Sequence, residues 1–121
     1  GFVYPSSITI TLYPKDKNII HLFEKQVELT PDNIAVSMDN INLTYKELNE
    51  KSNSFANYLI NLGQKQGEIM ALLTKHSIET IISILGILKS GNAYLPIDPE
   101  HPADRIKFML EDANVNFLIT R

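Results

Sequence analysis

Apolar residues follow two rhythms along this chain, and the changes between them divide it into elements. From Ile19 to Leu29 the spacing of Ile20, Phe23 and Val27 predicts a helix with one apolar face, capped by Asn18. It should stop at Thr30, since Pro31 disfavours helical geometry in the residue before it. The segment "IAVSMDNINLTY" then alternates, predicting a hairpin that turns at Asp39-Asn40, residue types that tolerate a positive φ. Helical spacing returns from Tyr45 to about Leu62, with Leu48, Phe55, Leu59 and Leu62 near one face and Gly63 as the C-terminal cap. "IMALLT" is a short, wholly apolar run of the kind found in strands covered on both faces. Ile78 to Lys89 is apolar nearly all round and predicts a deeply buried helix. "NAYLPI" reads as a strand, Pro102 to Asp112 as a helix and "VNFLIT" as a last strand. Strands alternating with helices of these lengths specify an α/β fold: βα units with a largely parallel sheet, preceded by a helix and a hairpin. Residues 1–17 read as a linker, with prolines at 5 and 14 and a brief alternation of Ile8, Ile10 and Leu12 that could add an edge strand.

Composition narrows the classes of function. At 121 residues, 44% hydrophobic and 21% charged, the chain fits one globular domain. Its net charge of −3, with both signs interspersed, offers no basic face, so neither nucleic acid nor a membrane is an expected partner. The absence of cysteine excludes disulfides and thiolate chemistry in these residues and suits a cytoplasmic location. No apolar run reaches membrane-spanning length, and the first residues lack a signal-peptide pattern. The chain begins with Gly1 and not methionine, which fits a piece of something larger.

Three stretches invite a chemical reading, and each also has a structural one. "LTYKEL", Leu43 to Leu48, is laid out as a capping box between Thr44 and Glu47 with Leu43 and Leu48 as a hydrophobic staple; Tyr45 or Glu47 would be its catalytic candidates. "GILKSGNA", Gly86 to Ala93, has the glycine spacing of a phosphate loop but carries Asn92 and Ala93 where lysine and a hydroxyl residue are needed. There Gly86 reads as a close-packing helical residue and Gly91 as a helix cap. "DPEHPADR" gathers Asp98, Glu100 and His101 among Pro96, Pro99 and Pro102. A carboxylate at the end of a parallel strand stands where α/β folds bind ligands, yet proline-spaced residues splay apart, and Pro102 suits a helix start with Asp104 near its positive end. His21 and His76 lack a second ligand at helical spacing, no serine sits in a nucleophile elbow, and Tyr4, Tyr13, Tyr58 and Tyr94 read as packing or linker residues.

Taken in order, these pieces resemble the N-terminal part of an adenylation domain of a nonribosomal peptide synthetase, in the acyl-adenylate-forming superfamily. "LTYKEL" is similar to the family's first core motif, and "LKSGNAYLPID" to its second, with Ser90 where alanine is usual. "IHLFEKQVELTPDNIAV" and "PEHPADRIKFMLEDA" are also similar, and "YPKDKN" looks like the connector that follows a condensation domain. The resemblance implies residues 1–17 as interdomain linker and 18–121 as a fragment of the large N-terminal subdomain. It implies a parent that activates an amino acid with ATP and magnesium as aminoacyl adenylate and loads it onto the pantetheine of a carrier domain. The remainder of the adenylation domain and neighbouring condensation and carrier domains would be the partners. The family's phosphate loop, adenine and ribose contacts, specificity pocket and catalytic lysine would lie beyond Arg121. No catalytic, cofactor-binding or metal-binding residue is therefore assigned in this chain, which is expected to be inactive alone. The alternatives are a fragment of an acyl-CoA or aryl-acid ligase of the same superfamily, a small flavodoxin-like binding module, or a non-catalytic interaction module whose first helix docks a neighbouring domain.

Overall fold

A computed structural model describes residues 18–63, 65–75, 77–115 and 117–120. The proposed linker and its strand-like alternation lie outside these residues, as does His76. The order is α1 (Asn18–Leu29), β1 (Ile34–Met38), β2 (Ile41–Thr44), α2 (Tyr45–Asn61), β3 (Ile69–Leu73), α3 (Ile78–Lys89), β4 (Ala93–Ile97), α4 (Ala103–Asp112) and β5 (Phe117–Thr120). β1 and β2 form the expected antiparallel hairpin, with Asp39 and Asn40 at φ of 54° and 64°, the pair of positive values a two-residue turn needs. β3, β4 and β5 form a parallel sheet in the order β4-β3-β5.

Two apolar clusters hold these layers together, and α3 belongs to both. Ile78, Ile81 and Leu85 meet Val36 and Leu43 of the hairpin and Leu48 of α2. Further along the helix, Ile84 and Ile87 meet Leu59, the strand residues Met70 and Leu72, and Tyr94. A helix that must face a hairpin, a second helix and a sheet has no solvent side to make polar, which explains its nearly continuous apolar sequence. α2 and α3 pack closely at Gly86. A Cβ added at Gly86 would stand 2.6 Å from Phe55 Cδ2 and 3.2 Å from the Ser52 carbonyl oxygen. Ser52 and Ala56 on the facing helix are small and buried, so the two backbones can come together there.

The structure moves three expected details. Leu62 is 55% exposed, because α2 ends at Asn61 and Leu62 is its C-cap, outside the stripe Leu48, Ser52, Ala56, Leu59 that packs inward. Pro102 occupies the N-cap of α4 in an extended conformation, with Ala103 as the first helical residue. Asn18 is helical, so α1 begins one residue earlier than the spacing predicts. Gly63 and Gly91 take the positive φ expected after α2 and α3, 88° and 86°.

Sheet order places the ends of the strands. The crossover β3–α3–β4 runs to one side of β3, and β4–α4–β5 returns to the other. Right-handed crossovers then put α3 and α4 on opposite faces of the sheet. The chain leaving β3 and the chain leaving β4 therefore diverge, opening a crevice at the carboxyl ends of those two neighbours. Pro96, opposite Leu72, suits the position of β4 at the rim of the sheet, since proline cannot complete a ladder on both sides.

Candidate functional site

A cavity of about 500 Å³ occupies that crevice. Its floor is Leu72 from β3, Ile84 from α3 and Tyr94 and Ile97 from β4; its rim carries Thr74, Lys75, Thr80, Asp98 and Glu100. Of the candidates in "DPEHPADR", the fold brings Asp98 and Glu100 to the cavity, with His101 just beyond them. Their polar groups are engaged locally. Asp98 Oδ1 accepts from the Glu100 amide at 2.9 Å, and its carbonyl accepts from the His101 amide at 3.1 Å. Glu100 faces Lys75 at 3.9 Å, both side chains about three quarters exposed. Across the mouth, the Thr80 hydroxyl donates to the Lys75 carbonyl at 2.7 Å and so accepts from the Thr74 hydroxyl at 2.9 Å. Among the described residues no three histidine or carboxylate side chains gather as a metal site would.

The glycine-spaced stretch is no phosphate cradle. The amides of Ser90, Gly91 and Asn92 donate to Gly86, Leu88 and Ile87, and that of Ala93 to Glu68. Asn92 instead ties two strand entrances together: its Oδ1 accepts from the Glu68 amide at 2.8 Å while its Nδ2 donates to Ser90 Oγ at 2.8 Å. Ser90, the departure from the family wording, gives its own proton to the Ile87 carbonyl at 2.7 Å. A phosphate needs several amides pointing the same way and uncommitted. These are committed.

"LTYKEL" forms the capping box its spacing specifies. The Glu47 amide donates to Thr44 Oγ1 at 3.1 Å, and the Thr44 amide to Glu47 Oε1 at 2.9 Å. The second bond holds the Glu47 carboxyl below its ordinary value, because it favours the charged form. Leu43 and Leu48 are buried in one cluster, as a staple requires. Tyr45 lies 6.1 Å from the Phe23 ring, a packing contact between α1 and α2.

One polar centre escaped the sequence reading. Lys89 Nζ, at the end of α3, donates to Asn49 Oδ1 at 2.5 Å and Asn53 Oδ1 at 2.8 Å on α2 and stands 5.2 Å from the Phe23 ring of α1. Burial lowers its pKa to about 8, against the opposing pull of Glu24. The signal in the sequence is Asn49 and Asn53, one turn apart on a helix, but nothing local points them at a lysine.

A sheet wound to both sides of β3, with α3 and α4 on opposite faces, defines the start of a doubly wound α/β domain. The chain belongs to the AMP-binding enzyme family, which its sequence matches over residues 23–121. Bacitracin synthase 2 of Bacillus licheniformis is 50% identical over 106 residues, covering 88% of this chain and 4% of the synthase. Gramicidin S synthase 2 of Aneurinibacillus migulanus is 48% identical over 113 residues, 93% of this chain and 2% of its own. Among solved structures, the N-terminal subdomain of NpsA from Klebsiella oxytoca superposes with a TM-score of 0.81 at 28% identity, covering 84% of this chain and 27% of that one. An artificial fusion of an adenylation domain with a PCP, from the same organism, gives 0.82 at 28% identity over 84% of this chain and 19% of its own. The chain thus spans a few hundredths of the length of the synthetases it matches.

Proposed function

We propose that these residues are the opening framework of an adenylation domain in a nonribosomal peptide synthetase. The parent activates an amino acid with ATP and magnesium as aminoacyl adenylate and passes it to the phosphopantetheine of a carrier domain, in the cytoplasm. Residues 1–17 are then the linker from a preceding condensation domain, and 18–121 the first part of the large subdomain. The observation that carries this reading is 50% identity to bacitracin synthase 2 over 88% of the chain.

On this reading the nucleotide is held by groups elsewhere in the parent. It is supported by the amides named above in the two loops, which are donated to carbonyls or to Asp98, and by Lys75 at the cavity rim, which faces Glu100. The role of this stretch is to hold a sheet and the helices packed on it in fixed register, so that groups supplied elsewhere in the parent can be positioned to within the tolerance that adenylate formation demands. The experiment is amino-acid-dependent exchange of pyrophosphate into ATP, measured on the parent and on the 121-residue chain, with magnesium-ATP titrated into the latter by NMR. The parent should exchange and the short chain should neither exchange nor bind. Saturable shifts at Asp98 and His101 below millimolar ATP would overturn the framework reading.

A further inference from the structure

We infer that Lys89 Nζ is a site of covalent acylation, taking its acyl group from a mixed anhydride of a carboxylic acid and a phosphate. Three observations carry this. First, the amine stands where α1, α2 and α3 meet, with Asn49 Oδ1 at 2.5 Å, Asn53 Oδ1 at 2.8 Å and the Phe23 ring 5.2 Å away. A neutral amine has two N–H donors and one lone pair. The two amide oxygens match the donors, so the lone pair is left uncommitted and turned away from α2.

Second, the amine is half-buried and not sealed in. Asn53 is exposed and its bond to Nζ lies at the surface, so a small acyl donor can reach the nitrogen. Burial also lowers its pKa to about 8; Glu24 of α1 is the charge that opposes this, and α2 meets the amine with the uncharged Asn49 and Asn53. Near neutral pH roughly a hundredfold more of the amine is then neutral than at the ordinary value of 10.5. Lower basicity gives back part of that gain as weaker nucleophilicity.

Third, the neighbours decide the class of donor. Asn49 and Asn53 turn their oxygens to Nζ and Phe23 is a hydrocarbon, so none of the three offers a proton to a departing group. The leaving group must depart unaided, and phosphate, with a pKa of about 6, does so more readily than a thiolate at about 8.5. In the step itself the lone pair attacks the acyl carbon and the C–N bond forms. The C–O bond to phosphate breaks with its electron pair on that oxygen, and the nitrogen gives one proton to water. The product amide keeps a single N–H, so one of the two bonds to α2 is lost together with the charge facing Phe23.

The full 121-residue chain is treated with acetyl phosphate near neutral pH, and acetylation at each lysine is followed by peptide mass spectrometry. Lys89 should react about fivefold faster, or more, than the exposed Lys107, and the advantage should vanish in urea. The rate at Lys89 should level off above about pH 8. Asn53→Asp sets a carboxylate against the ammonium and should slow Lys89 by about fivefold or more while Lys107 is unchanged. Equal rates at the two lysines in the folded chain, an advantage that survives in urea, or an unslowed Asn53→Asp variant that folds by circular dichroism would each overturn the inference. Faster transfer from acetyl-CoA than from acetyl phosphate would overturn the assigned donor. If the variant does not fold, the urea comparison on the unaltered chain decides. The parent, given magnesium-ATP and its amino acid without a carrier, separates two sources of the anhydride: aminoacylation of Lys89 assigns the adenylate, and its absence assigns free acyl phosphates. That arm alone rests on the framework reading, since a parent that forms no adenylate sinks the reading and leaves the acetyl phosphate result standing.

Discussion

At Thr44 and Lys89 the chain uses side chains that resemble catalytic groups to join elements. Thr44→Ala removes the acceptor for the Glu47 amide and should cost about 1 kcal/mol, a usual value for a lost cap. Denaturant melts check the magnitude, and exchange activity of the parent should change no more than its stability does. Because the Glu47 carboxyl is held below its ordinary 4.5, its capping contribution is complete above that pH and fades as pH drops through the lowered folded value. At Lys89 it is the charged form that the fold disfavours. A lysine whose folded pKa is about 8, against 10.5 ordinarily, leaves the folded chain with fewer bound protons than the unfolded one between those values. The burial penalty is thus present in full below about pH 8, and stability should rise from there to pH 10.5. Lys89→Met keeps the packing and removes the titration, so the wild type should gain on the variant across that window. A loss instead would mean that Phe23, Asn49 and Asn53 hold the ammonium more strongly than burial opposes it.

At the scale of elements, the contact of α2 with α3 sets the spacing of the helical layer, and its test is Gly86→Ala. The added carbon meets Phe55, which can turn, and the Ser52 carbonyl, which cannot move without its helix. Overpacking should outweigh the roughly 1 kcal/mol helix-propensity gain, giving a net loss read from denaturant midpoints; Gly86→Leu should lose more. A gain from both would place the position on open surface. This contact also marks how far the sequence could be read. The hairpin turn at Asp39-Asn40, the cap at Thr44 and the bounds of α3 are written in neighbouring residues, and pattern alone found them. Phe55 against Gly86, Asn92 against Glu68, and Lys89 against Asn49 and Asn53 join residues 24 to 40 positions apart, where no local rule reaches. The candidate site divides in the same way. Asp98 was legible as a carboxylate at a strand end, but Thr74, Thr80 and Tyr94 share its cavity only because β4 lies beside β3, and strand order is not a local property. Leu62 misled because apolar spacing does not say where the partner surface stops.

Across the whole molecule, cover is uneven. One face of the sheet carries α3 and, beyond it, α2, while α4 contains no buried residue and leaves Phe108 59% exposed, and Leu118 of β5 is 47% exposed. Apolar surface next to a strand with no further neighbour among the described residues promotes pairing between chains. The 121-residue chain should therefore associate as its concentration rises, seen by light scattering, and Leu118→Lys should suppress this without lowering stability by more than about 0.5 kcal/mol, as for a surface change. Unchanged association in that variant would locate the contact elsewhere.

The two rims of the sheet are not equivalent, and the difference has a consequence for synthesis on the ribosome. Pro96 lacks a donor that a strand outside β4 would need, whereas β5, the last of the described strands, contains no proline. A further strand would lose one ladder bond outside β4 and none outside β5. The three strands can thus settle against α3 while translation continues, and nothing arriving later has to displace a pairing already made.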